Sequence, residues 1–191
     1  STGFAETIQG SAIAPYVDGI FGCEFIETPA PSGFIAEYSN SKENEISQIA
    51  IALDNTSKTR YLFEINKGSN KFPETIDVNS FIEPENRRIP FRNMLYIADG
   101  PSDVPAFSIL NNHQGSTFAI YPKGDSKAFK QVEQLRKDKR IETFGEADYS
   151  EGTHTWMWLT TRVKEIADGI LKRHKDTLQK SSSVPPGHLS L

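Results

Sequence analysis

Asp99 and Asp103 stand four residues apart at the end of an apolar run, in the stretch Met94-Leu-Tyr-Ile-Ala-Asp-Gly-Pro-Ser-Asp-Val-Pro. Residues 94–98 have the length and content of a buried strand, and the Gly100-Pro101 turn stops it. The two carboxylates then fall at the carboxyl end of that strand, where open α/β sheets hold their ligands. A few oxygen ligands beside a turn, with room for water and a phosphate, suit a hard cation such as Mg²⁺. The spacing therefore predicts part of a metal-dependent phosphoryl-transfer site. Each acid alone has a plainer reading: Asp103 as the N-cap of the next helix, Asp99 as a turn residue before glycine.

Two further groups have matching chemistry. Ser1-Thr2-Gly3-Phe4 directly precedes a predicted helix, so a hydroxyl and backbone amides there can face an anion with the helix dipole behind them. Lys58 opens another predicted helix, where its ammonium can neutralise a phosphate oxygen; the plain reading is a solvated lysine. The four histidines are scattered without ligand spacing, which argues against zinc. Cys23 reads as a small buried hydrophobe, and Trp156 and Trp158 as packing residues.

The elements that must position these groups follow from periodicity and breakers. Residues 5–17 read as a helix broken near Gly10, with Ser11 capping a short second part that holds Pro15. Residues 20–26 read as a strand, and residues 34–38 and 46–53 as a hairpin. A helix over 58–66, capped by Thr56 or Ser57, ends at Gly68. Proline punctuation makes 71–93 irregular. Strand 94–98, a helix over 103–110, strand 118–121, a charged helix over 126–137 and an edge strand over 141–144 come next. A long amphipathic helix over 155–172 closes the pattern, with a flexible tail over 177–191. Strands alternating with helices predict an α/β sandwich with a largely parallel sheet.

The bulk properties bound the function. At 191 residues, 37% of them hydrophobic, the chain can bury the core of one domain. A net charge of −4 gives no electrostatic case for nucleic acid or an anionic membrane surface. A single cysteine excludes an intrachain disulfide and suits a reducing cytoplasm, and no apolar run approaches the ~20 residues of a membrane span.

The order Ser-x-Gly-Phe, a lysine opening a later helix, then apolar strand-Asp-Gly-x-x-Asp resembles the haloacid dehalogenase (HAD)-like hydrolase superfamily, near its phosphoserine-phosphatase-like branch. The likeness covers roughly residues 1–167 and is most specific over 94–105. It implies a Rossmann-like three-layer α/β sandwich with the hairpin near 34–53 as a small insertion, and a core over 1–176. It implies Mg²⁺ held directly or through water by Asp99 and Asp103, a catalytic Lys58 (Lys67 and Lys71 being rivals for that place), and phosphate binding by Ser1, Thr2 and Gly3. The activity implied is hydrolysis of a small phosphorylated metabolite.

Two positions depart from the family pattern. Ala98 stands where glycine is usual before the first acid. The Asp-x-Asp motif that carries the nucleophile belongs ahead of the hydroxyl motif, and no Asp-x-Asp occurs in these residues. The resemblance thus implies the C-terminal portion of an N-terminally truncated phosphatase, whose aspartyl-phosphate forms on an Asp outside this sequence. The partner expected is that missing segment, or another chain, covering exposed sheet edges. The alternatives are a HAD-like binding or scaffold module without catalysis, and one piece of a split enzyme.

Overall fold

Gly19 and Gly22 interrupt the apolar run that precedes Cys23, and the first regular strand begins only after them. The computed structural model describes residues 3–27 and 46–182. Helix α1 (Ala5–Gln9) opens them, and a 3-10 turn at Ala14–Tyr16 takes the place of the second helical part expected there. Ser11 closes α1 rather than starting a new helix: its Oγ donates to the Ile8 carbonyl at 2.6 Å. Strand β1 (Glu24–Glu27) is shorter than the 20–26 run, because Cys23 makes only an isolated parallel bridge to Phe4. At Gly22 a Cβ would lie 2.7 Å from the Ala5 amide nitrogen, so glycine is what lets the chain pass there.

Strand β2 (Ile46–Ile51) pairs antiparallel with β1. Of the expected hairpin, residues 34–38 lie outside the described residues. The β1–β2 ribbon leaves Ile46 and Ile49 exposed.

Helix α2 (Ser57–Lys67) ends on Gly68, whose φ of +96° is the left-handed C-terminal cap that favours glycine. Its start is held by Asp54 rather than by Thr56 or Ser57. Asp54 Oδ1 accepts from the amides of Thr56 at 2.9 Å and Ser57 at 2.6 Å, and from Ser57 Oγ at 2.7 Å. That Asx turn is the local reason Lys58 stands in the first turn of α2. Between α2 and the next strand the chain is irregular, as its prolines require, apart from 3-10 turns at Pro84–Asn86 and Phe91–Asn93.

Strands β3 (Leu95–Ala98), β4 (Ser116–Tyr121) and β5 (Thr143–Glu146) form a parallel sheet in the order β3-β4-β5. Helix α3 (Val104–Asn112) connects β3 to β4, and α4 (Ser126–Lys137) connects β4 to β5. Helix α5 (His154–Ser182) follows the last strand. Residues 177–182, expected as tail, are the last turns of α5; no glycine or proline interrupts the chain there before Pro185. The result is a mixed α/β arrangement, a parallel sheet flanked by helices.

Alternation along β4 sorts the layers. Ala119 faces Phe107 of α3 and Val132 and Leu135 of α4, in a cluster closed by Ile141. Phe118 faces the other way, its ring 4.7 Å from that of Trp158 on α5. A second cluster joins α2 to α3 through Leu62, Phe91, Met94, Ala106 and Leu110. Tyr96 borders both clusters, so β3 ties the two halves of the core together.

The contact between β5 and α5 is close enough to test. At Gly145 an added Cβ would meet Thr155 Oγ1 at 2.5 Å and Phe118 Cζ at 2.9 Å. Thr155 is fully buried and its hydroxyl donates to the Glu146 carbonyl, so it has little freedom to retreat. We expect Gly145→Ala to lower stability by about 1–3 kcal/mol. Urea denaturation monitored by tryptophan fluorescence measures it, and an unchanged midpoint would contradict this packing.

Candidate functional site

The residue at the N-cap position of α3 does not cap the helix. Asp103 makes no side-chain hydrogen bond to the amides of α3, although Asp is a favoured capping residue. Its carboxylate turns inward and is buried, 3% exposed. Lys58 Nζ lies 2.7 Å from Oδ1, with the two side chains 11% and 4% exposed. The Tyr96 hydroxyl donates to the same oxygen at 2.6 Å, and Ser102 Oγ donates to Oδ2 at 2.9 Å. Strand β3, the turn after it and helix α2 therefore converge on one carboxylate.

The electrostatics follow from that convergence. Burial works against the charged form of Asp103, but the hydrogen bonds from Lys58, Tyr96 and Ser102 outweigh it and hold the carboxyl below its ordinary range. Burial first, then the bond to Asp103, pushes the Tyr96 phenol far above its ordinary value, so Tyr96 stays a donor at any working pH. Lys58 has three N–H donors, and the bond to Asp103 uses one.

Lys67 and Lys71, the rival lysines, are engaged elsewhere. Lys67 Nζ donates to the carbonyls of Val78 and Ser80, both at 2.6 Å, and pins the irregular segment against α2. Lys71 Nζ donates to the Asp18 carbonyl at 3.0 Å. Of the three, Lys58 is the one in contact with an acid of the Asp99/Asp103 pair.

Asp99 follows the last residue of β3 and is exposed, in contrast to Asp103. Ser1 and Thr2 lie outside the described residues. Gly3 is described: its carbonyl accepts from the Cys23 amide at 2.9 Å, part of the short parallel contact between the N-terminal stretch and β1. Lys58 and Tyr96 also line a cavity of about 360 Å³ whose other walls are apolar, among them Ile8, Val17, Phe21 and Leu62. The segment around α1 is thereby placed against α2 and β3.

The two acids differ in what they offer a cation. A carboxylate presents about four lone-pair directions. Asp103 has three of its own taken by Lys58, Tyr96 and Ser102, which leaves contact through Oδ2 or a bridging water. Asp99 is open to solvent and fits a hard cation that keeps several waters. Among the described residues no three His, Cys, Asp or Glu side chains gather into a metal-ligating group. Of the pair, the carboxylate that could reach a cation from solvent is Asp99.

Sequence reasoning missed Tyr96 and Ser102. β3 is only half-buried, with Ile97 exposed at the sheet edge, rather than the buried strand expected there; even so, a tyrosine inside an otherwise apolar strand is a signal that its hydroxyl needs a partner. Ser102 carried no such signal, being one of several small polar residues in a turn.

No family model matches the chain, and no solved structure matches it. A Borreliella burgdorferi protein described as "Uncharacterized protein" is 40% identical over 167 residues, which cover 85% of this chain and 55% of that protein. The chain thus spans about half the length of this relative. Among the described residues no helix is long and apolar enough to cross a membrane.

Proposed function

We propose that these residues form the metal and phosphate half of a Mg²⁺-dependent HAD-like phosphatase site that hydrolyses a small phosphorylated metabolite in the cytoplasm. The observation that carries the reading is the buried Asp103, which leaves α3 uncapped in order to hold Lys58. A carboxylate serving only the helix would face its amides. Here it fixes a nearly buried ammonium near the carboxyl end of a parallel strand, where Asp99 stands open.

In this reading Asp99 holds Mg²⁺, which when bound supplies charge neutralisation at the phosphoryl oxygens. Lys58 neutralises a further phosphoryl oxygen, and Asp103 keeps its ammonium in place. Ser1, Thr2 and Gly3 contribute a hydroxyl and amides to the same anion, as the HAD resemblance implies. The attacking carboxylate, on which the aspartyl-phosphate forms, comes from a strand outside these 191 residues. Two features support a partner segment beside β3: among the described residues β3 pairs only with β4, and an apolar cavity lies next to Tyr96.

Turnover tests the reading. The full gene product that contains this sequence should hydrolyse p-nitrophenyl phosphate with Mg²⁺ and lose that activity in EDTA, while the 191-residue chain alone should hydrolyse none. Co-expression with the remaining segment should restore activity if the enzyme works as two pieces. A full gene product without phosphatase activity would favour the second reading, a HAD-like binding module. The three donors on Asp103 favour that alternative, since they leave only one lone-pair direction of Asp103 open beside the free Asp99 carboxylate.

A further inference from the structure

Lysine has a long stem whose rotamer freedom is costly to freeze, so a fixed ammonium needs a fixed partner. At Lys58 that partner is Asp103, and Asp103 is itself clamped from two sides. Its Oδ2 is held by the adjacent Ser102, which belongs to the same turn and moves with it. Its Oδ1, the oxygen that takes Lys58, is held by Tyr96 from the middle of β3. The Tyr96 ring is in turn fixed edge-on against Phe107, with centroids 5.5 Å apart, inside the core shared by α3 and α4.

We propose that Tyr96 is the positioning residue of the anion site: by donating to Asp103 Oδ1 it sets the direction of the Lys58 ammonium toward the phosphate. This rests on the reading of Lys58 as the phosphate-neutralising lysine. A carboxylate tied only to its own turn could pivot about χ2 and let Lys58 follow. The hydrogen bond from β3 removes that freedom, and it connects the ammonium to the rigid sheet rather than to a loop. The donors also share one oxygen, so a ligand that draws on Lys58 must be felt at Tyr96 through Asp103.

Tyr96→Phe keeps the ring against Phe107 and deletes the hydroxyl alone, and the test is made on the full gene product that contains this sequence. Inorganic phosphate, followed by ³¹P line broadening, should bind about fivefold more weakly to Tyr96→Phe than to the wild type. In an Asp103→Ala background the same substitution should make no further difference, because the coupling runs through the acceptor that alanine removes. With tyrosine labelled at Cζ, the resonance lost in Tyr96→Phe identifies Tyr96. In the wild type it should move on phosphate addition, and in Lys58→Met it should stay still. A hydroxyl that served packing alone would not respond to phosphate.

The outcomes separate. Weaker binding by Lys58→Met with unchanged binding by Tyr96→Phe and a silent Tyr96 resonance would overturn the positioning role and leave the anion site standing. Undiminished binding by Lys58→Met, or no binding by the wild type, would overturn the anion site and the role of Tyr96 with it.

Discussion

Asp99→Asn in the full gene product should lower Mg²⁺-dependent turnover by about 10²- to 10³-fold while leaving the folded chain intact. Asp99 is exposed, so the amide disturbs no packing and breaks no buried pair. What it removes is the open carboxylate that Asp103, already engaged by three donors, does not replace. The effect should divide by site: Asp99→Asn raises the Mg²⁺ concentration needed for half-maximal rate, whereas Lys58→Met weakens phosphate affinity at saturating Mg²⁺. Steady-state rates across a Mg²⁺ titration measure both. Unchanged turnover in Asp99→Asn would remove the metal assignment.

The second large effect is on stability. Breaking a buried ion pair by removing one partner leaves a charge without compensation and costs about 3–5 kcal/mol. Lys58→Met does this to Asp103, which keeps its bonds from Tyr96 and Ser102, so the loss should lie near the lower end, about 3 kcal/mol. Adding Asp103→Asn should recover most of it, since the neutral amide still offers an oxygen to the Tyr96 hydroxyl. Urea midpoints of the single and double variants measure the difference. A loss under about 0.5 kcal/mol in Lys58→Met would mean the pair behaves as an exposed one.

The same pair sets a pH dependence. Folding lowers the Asp103 carboxyl below its ordinary value of about 3.9, despite its burial. Its contribution is therefore fully present above about pH 4 and is lost as pH falls through the folded-state value. Asp103→Asn should show a shallower fall in stability between about pH 4 and pH 2 than the wild type. Equal slopes would show that Asp103 carries no such shift.

Much of this arrangement was legible in residue patterns. Breakers and apolar periods place β3, α4 and the body of α2 to within a residue or two, with Gly100-Pro101 and Gly68 punctuating β3 and α2 strongly. The readings that moved were decided by neighbours rather than by propensity. Ser57 is a good capping residue, yet its hydroxyl is turned back to donate to Asp54, which also takes the Thr56 and Ser57 amides. The 20–26 run has strand composition, but the close pass of Gly22 against Ala5 leaves Cys23 a lone bridge. Within the site, Lys58, Asp99 and Asp103 could be nominated from spacing and local order. The choice between capping and ion pairing at Asp103 could not, because it depends on Lys58 and Tyr96 arriving from α2 and β3.

The most direct test of the account is phosphate binding by the full gene product with and without Mg²⁺. Inorganic phosphate, titrated by ³¹P NMR, should bind to the wild type more tightly when Mg²⁺ is present. Asp99→Asn should retain the Mg²⁺-independent binding and lose the enhancement, whereas Lys58→Met should bind more weakly with and without Mg²⁺ and keep the enhancement. Equal binding by all three proteins, or binding that Mg²⁺ does not strengthen in the wild type, would contradict the assignment of these residues to one metal and phosphate site.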